Sequence, residues 1–297
     1  MAAFAHTPVL ADEVLAWLGP HAGGVYCDAT VGGGGHAELI LERSAPDGRL
    51  VGIDRDEEAL AAARARLMRF GSRVDLVHGS FADAHAILEA LGARPCDGLL
   101  ADLGVSSHQL DEAGRGFSFA REGPLDMRLD RSVGPTAAEV LAGLREEELC
   151  GALRDYGEER YAGRIARAIT AASRRGALAT TTDLAAVVAG AVPTRERHKD
   201  PATRTFQAIR ILVNDEVAAL DRLLADLPDL VAPRGRVVLI AFHSLEDRAV
   251  KLRLRALSPK EAPVFRRLTR KPVRPSEAEV RRNPRARSAR LRAAERC

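Results

Sequence analysis

Apolar positions along this chain alternate between two periods. Short runs rich in Val, Ile and Leu read as buried strands: VYCDATV (25–31), RLVGID (49–54), RVDLVHG (73–79) and CDGLLADLG (96–104). Helical periodicity follows each of the first three, in HAELILER (36–43), DEEALAAARARLMRF (56–70) and ADAHAILEAL (82–91). Repeated strand–helix units of this length predict a parallel sheet with helices on both faces. Ahead of them, Thr7 and Pro8 have the character of an N-cap and a first helical position leading into VLADEVLAWL.

The next buried run is RVVLIAF (236–242), introduced by the turn residues Pro233, Arg234 and Gly235. A parallel crossover needs about a dozen residues, and the interval from Gly104 to Gly235 is about tenfold longer. Something is therefore inserted. Its first part, SSHQLDEAGRGFSFAREGPLDMRLD (106–130), is glycine-rich and aperiodic and reads as a long functional loop. Thereafter the pattern is helical. Thr136 and Glu139 have capping-box spacing, and EERYAGRIARAITAASRR (158–175) and TTDLAAVVAGAV (181–192) follow, the latter stopped by Pro193. NDEVAALDRLLADL (214–227) returns the chain to the sheet. The expected organisation is a sheet domain begun in 1–109, an inserted loop and helical domain in 110–213, and the rest of the sheet domain with a basic C-terminal segment in 214–297.

Of the 297 residues, 46% are hydrophobic, enough for a sizeable core. No apolar run reaches the roughly 18–20 residues that span a bilayer. Asp12 and Glu13 interrupt the apolar run nearest the N-terminus, and no basic stretch precedes it, so neither a signal peptide nor a membrane association is expected. The expected setting is cytoplasmic. Cys27, Cys96, Cys150 and Cys297 are scattered with no C-x-x-C pair, which predicts reduced thiols and no metal site. Charge is unevenly placed. Residues 264–297 hold 12 Lys or Arg against 3 Glu, a net +9, within a chain whose total is only +3. An acidic body with a basic end suits a polyanionic partner, and it also suits a solvated basic tail; charge alone does not choose.

Candidate chemistry gathers at the predicted carboxyl ends of the strands. Asp28-Ala-Thr-Val-Gly32-Gly33-Gly34-Gly35-His36 joins strand to helix. Glycines there let a ligand approach the backbone, and the helix start offers free N–H donors. Asp54 ends the next strand, 20 residues after Gly34, where a carboxylate can accept from two ribose hydroxyls. An adenosine-containing cofactor is the expectation. Asp28, Asp83 and Asp102 fall at the same predicted edge, giving four carboxylates with Asp54. That field opposes the pyrophosphate of a dinucleotide and favours the sulfonium and ammonium of S-adenosylmethionine. An NAD-dependent oxidoreductase is the alternative.

At this point the sequence resembles the bacterial 16S ribosomal RNA cytosine-N4 methyltransferase family. The resemblance rests on HTPVLADEV (6–14), DATVGGGGH (28–36), GIDRD (52–56), HGSF (78–81), DLGVSSHQLD (102–111), GFSF (116–119), GPLDMR (123–128), YGEER (156–160), PATRTFQA (201–208), NDE (214–216), FHSLEDR (242–248) and NPRARSARLRAAER (283–296). It implies a class I methyltransferase fold, Rossmann-like and doubly wound with a mostly parallel sheet and an inserted small helical domain. It also implies S-adenosylmethionine as donor, contacted by Gly34, Gly35, His36, Asp54, Phe81, Asp102 and Gln109. The implied partner is 16S ribosomal RNA in the small ribosomal subunit.

Methyl transfer from a sulfonium is an in-line displacement, governed by positioning and water exclusion. The exocyclic N4 of cytosine is a poor nucleophile because its lone pair is delocalised, and an acceptor for its proton would localise that pair. Asp102 is the candidate acceptor. Several residues carry two readings. His36 opens a helix or contacts the donor; Phe81 packs in the core or flanks adenine. Asp126 and Arg128 order the long loop or touch RNA. Arg160, Arg164 and Arg167 share a helix face that suits solvent or RNA. His243 and Ser244 follow the fifth strand and are candidate substrate contacts, as are Arg285 and Arg287 for phosphates. A non-catalytic RNA-binding protein using the methyl donor as a structural ligand is the third reading.

Overall fold

The computed structural model describes residues 8–193 and 200–297. The chain divides into two compact units, one formed by residues 1–104 and 217–297 and the other by 105–216.

The first unit is built on seven strands: β1 (Val25–Asp28), β2 (Arg49–Asp54), β3 (Val74–His78), β4 (Cys96–Asp102), β5 (Val231–Ala241), β6 (Phe265–Arg267) and β7 (Arg290–Arg296). They lie in the order β3-β2-β1-β4-β5-β7-β6. The first five are parallel, and β7 is antiparallel to both β5 and β6. Side chains alternate between two cores. Cys27, Val51, Ile53, Leu99, Ala101, Val237 and Leu239 point to one face, and Tyr26, Leu50, Leu100, Val238 and Ile240 to the other. Burial on both faces explains why these strands read as continuous apolar runs.

Helices α1 (Ala11–Leu18), α2 (Gly35–Arg43) and α3 (Glu57–Leu67) cover the second face, through Val14, Leu18, Ile40, Leu60 and Leu67. The first face is covered by α4 (Ala84–Ala90) and by two later helices, 216–230 and 244–256, through Leu88, Leu223, Leu227, Val250 and Leu254.

The second unit is helical. It holds α5 (Ser107–Asp111), α6 (Ala137–Gly143), α7 (Glu146–Asp155), α8 (Ala162–Arg174), α9 (Thr181–Ala191) and α10 (Ala202–Asn214). Its own core contains Leu141, Leu153, Ile165, Ile169, Leu184, Val188, Phe206 and Ile209. The Thr136–Glu139 capping box forms as its spacing predicts: Thr136 Oγ1 accepts from Glu139 N at 3.3 Å, and Glu139 Oε2 accepts from Thr136 N at 2.7 Å. The chain then re-enters the first unit through α11 (Glu216–Leu230), and α12 (Ser244–Ala256) and α13 (Glu277–Arg282) complete it.

Five local expectations need correction. Pro8 is not the first helical residue: α1 begins at Ala11, after Leu10 in a left-handed conformation, and Thr7 lies outside the described residues. β1 stops at Asp28 rather than at position 31, because the backbone turns there toward the glycines. The segment 106–130 is irregular only from Gly116 onward. Ser106 caps α5 in a box with Gln109, and the fully buried Arg115 donates to the carbonyls of Arg128 and Leu129. Pro233, Arg234 and Gly235 do not precede the fifth strand but form an irregularity inside it. The register with β4 jumps there from Cys96–Val231 to Gly98–Arg236. Finally, the basic C-terminal segment is no solvated tail. β7 is an interior strand of the sheet, with Leu291, Ala293 and Ala294 fully buried.

Candidate active site

The carboxyl ends of β1, β2, β4 and β5 meet at one edge of the first unit. Beyond Asp28 the backbone stays locked to the sheet, with Ala29 N donating to Leu100 O and Val31 N to Ile53 O at 2.8 and 2.9 Å. Gly34 then takes φ +81° as the N-cap of α2, a conformation that L side chains rarely adopt. A Cβ there would also sit 3.3 Å from Leu67, so conformation demands glycine and the space beside it is tight. α2 has no side-chain cap, and its first turn presents backbone N–H groups at this edge.

Asp54 does more than end β2. Its Oδ2 accepts from Gly32 N at 2.8 Å and its Oδ1 from Asp56 N at 2.9 Å, so this carboxylate ties the glycine loop to the second strand. Thr30, which sequence reasoning passed over, secures the other side: its Oγ1 accepts from Asp102 N at 2.6 Å. Its only sequence signal was its place between Asp28 and the glycines.

Asp102 ends β4 opposite Ile240 of β5. Its Oδ2 is 3.8 Å from Nε2 of the buried His36. Its Oδ1 is buried with no hydrogen-bond partner among the described residues. Burial pushes the Asp102 carboxyl well above its ordinary range, and the charges of Asp28 and Glu246 push it further. Burial likewise raises Asp28 to about 7, against the N–H of Thr30 that stabilises its anion. Asp54 rises to about 6, again through burial, opposed by the N–H groups of Asp56 and Gly32. A cation brought to this edge would reverse these shifts.

Asp83 is not the fourth member of this acid cluster. It sits exposed on a single turn of 3-10 helix, and the acid that acts on Asp102 in its place is the buried Glu246. Glu246 is the third residue of α12, three positions beyond His243, and no strand-end pattern marked it. Its Oε2 accepts from Phe242 N and His243 N at 2.9 and 3.3 Å, and its Oε1 lies 3.0 Å from His243 Nε2. His243 is therefore committed to the start of α12, with Ser244 as the first residue of that helix.

Phe81 opens the turn after β3, half-buried against the first core, with the Arg55 guanidinium 5.9 Å from its ring centre. Arg55 also donates to Ser80 Oγ at 2.6 Å. Gly34, Gly35, His36, Asp54, Phe81, Asp102, His243 and Ser244 all belong to the first unit. Gln109, Asp126 and Arg128 belong to the second. There Gln109 closes the cap of α5, accepting from Ser106 N at 2.8 Å. Asp126 takes a two-pronged contact from Arg128 at 2.7 and 3.0 Å. Burial works against its ionisation, yet Arg128 holds its carboxyl below the usual range. Of the two readings of this pair, the ordering of the loop is the one visible in its contacts. Arg285 and Arg287 lie on a 3-10 turn before β7.

Residues 3–297 match the MraW methylase family. The chain is 51% identical to the ribosomal RNA small subunit methyltransferase H of Syntrophus aciditrophicus (strain SB), across 98% of this chain and 97% of that protein. It is 55% identical to the protein of the same name from Sorangium cellulosum (strain So ce56), across 98% and 90%. Among solved structures, a protein from Clostridium thermocellum described as a candidate rRNA-methylase aligns over 97% of this chain and 95% of its own at a TM-score of 0.47 and 12% identity. With near-complete coverage at half identity or better, the chain belongs to the MraW methylase family.

Proposed function

We propose that this protein transfers a methyl group from S-adenosylmethionine to the exocyclic N4 of a cytidine in 16S ribosomal RNA, acting on the small ribosomal subunit in the cytoplasm. The observation that carries this reading is the buried Oδ1 of Asp102, without a hydrogen-bond partner among the described residues, at the edge where the glycine loop and Asp54 also lie.

The residues fit the donor chemically. Three carboxyls raised by burial suit a ligand bearing a sulfonium and an ammonium. An NAD pyrophosphate would meet the same acids unfavourably, which sets the oxidoreductase alternative aside. Gly34, Gly35, His36, Asp54, Phe81, Asp102 and Gln109 would hold the donor, by resemblance to the family. When bound, S-adenosylmethionine supplies an electrophilic methyl group.

The chain's own residues do the rest. Asp102 Oδ1 accepts the N4 proton of the target base, which localises the nitrogen lone pair. His36 Nε2 lies 3.8 Å from Asp102 Oδ2. Thr30 fixes the backbone of Asp102, so that the carboxylate is aimed before the substrate arrives.

The test uses purified protein, radiolabelled S-adenosylmethionine and small ribosomal subunits from cells lacking this protein, with nucleosides of the recovered RNA separated and identified. Label in N4-methylcytidine is the expected result. Label in another nucleoside would overturn the assignment of the target atom, and donor binding without any transfer would favour the non-catalytic reading.

A further inference from the structure

The fold sorts the C-terminal basic residues into two sets. Arg266 is bound to Glu295, Arg281 to Glu277, Arg290 and Arg292 to Asp247, and Arg296 to the carbonyl of Val231. Arg285 is engaged within the chain as well. Arg267, Arg270, Lys271, Arg274, Arg282 and Arg287 are exposed and form no ion pair among the described residues.

Topology decides where this second set lies. β7 runs antiparallel to β5 with Arg290 opposite Ala241, so it begins at the end of the sheet where β5 finishes. β6 runs back along β7 from Phe265, opposite Arg296, and the chain continues beside it until Val273 bridges to Leu291. The path from Arg267 to Arg274 therefore climbs to the edge that carries Asp102, which pairs with Ile240 one residue before Ala241. The turn holding Arg287 delivers β7 to that same edge. Glu279 of α13 accepts from Leu10 N at 2.7 Å, which fixes the neighbourhood of Arg282 at the start of α1.

Charges on an edge strand can serve simply to repel other strands. That accounts for Arg267, which lies on β6. It does not account for Arg282 and Arg287, which lie on no strand. A polyanion, moreover, faces an electrostatic problem at this edge. The buried acids of the donor site repel phosphates, so an RNA can present a neutral base there only if its backbone is held alongside by positive charge.

We propose that Arg270, Lys271, Arg274, Arg282 and Arg287 form a phosphate-binding rim beside the donor site, gripping the RNA backbone next to the target nucleotide. This inference rests on the RNA methyltransferase reading above. The rim binds by charge and is indifferent to sequence, leaving base selection to the site itself.

Binding of a fluorescent fragment of small-subunit ribosomal RNA is measured by anisotropy from 50 to 200 mM salt. The protein is compared with a variant carrying Arg270→Gln, Lys271→Gln, Arg274→Gln, Arg282→Gln and Arg287→Gln. Each phosphate contact contributes about 0.7–0.9 to the slope of log affinity against log salt, so the slope is expected to fall by about 3.5–4.5. The pair Arg282→Gln and Arg287→Gln should give about 1.4–1.8 alone. Donor binding, followed by calorimetry, should be unchanged in both. A control pair on the helical unit, Arg174→Gln and Arg175→Gln, should leave the slope as it was. An unchanged slope in the fivefold variant would overturn the rim, and self-association of that variant with undiminished RNA affinity would assign these charges to edge protection instead. If the unaltered protein bound donor but neither this fragment nor the small ribosomal subunit, the RNA reading itself would fall, and the rim with it.

Discussion

Asp28, Asp54 and Asp102 bind protons more readily folded than unfolded, because burial penalises their charged forms. Their contribution to the stability of the free protein is therefore fully present below about pH 4, the unfolded range. It is lost as pH rises through the folded values of about 7 for Asp28 and about 6 for Asp54. A cationic donor prefers the ionised acids, so its affinity should rise across the same window. Calorimetric titration of S-adenosylmethionine from pH 5.5 to 8 checks this, and a flat profile would refute the acid-site account. Asp102→Asn keeps the shape but cannot take a proton, and kcat should fall by about 10²–10⁴-fold. Asp54→Asn can accept only one of the two loop N–H groups well. Donor affinity should weaken by about 1.5–3 kcal/mol, visible in the same titration.

At the scale of elements, α12 is anchored to β7 by one carboxylate. Asp247 receives Arg292 at 2.7 and 3.2 Å and Arg290 at 3.3 Å. Burial opposes its charge, but the arginines hold its carboxyl below the usual range, so this contribution is lost on acidification, opposite in sign to that of Asp28. Arg292→Leu should cost about 3 kcal/mol in urea denaturation, since it strips the better partner from a nearly buried charge. The helical unit offers a gentler test. Thr136→Ala removes the cap of α6 and should cost about 1 kcal/mol by the same measurement. The Thr136 box was legible from spacing because capping is a contact between near neighbours. The anchor of α12 was not, because Asp247 and Arg292 are 45 positions apart.

At the scale of the whole molecule, residues 105–216 enclose their own apolar core, and the sheet unit on either side of them in sequence has two more. A segment of 105–216 expressed alone should fold, giving a helical circular dichroism spectrum and a cooperative thermal transition. A featureless melt would show that its core needs the sheet unit. The gap between β4 and β5 revealed this insertion in the sequence, since no crossover needs so many residues.

The sequence by itself determined the order of the five parallel strands and of the helices that follow the first three, the glycine loop with Asp54 spaced behind it, and the capping box at Thr136. Each depends on residues close in the chain, where period and backbone chemistry act directly. Tertiary structure alone decided which distant groups meet. It replaced Asp83 with Glu246 beside Asp102, set Thr30 under Asp102, and turned a basic tail into an interior strand whose charges divide into paired and exposed sets. The physical reason is the same in each case. Charge and burial act through space, and a parallel sheet gathers strand ends from across the chain onto one edge.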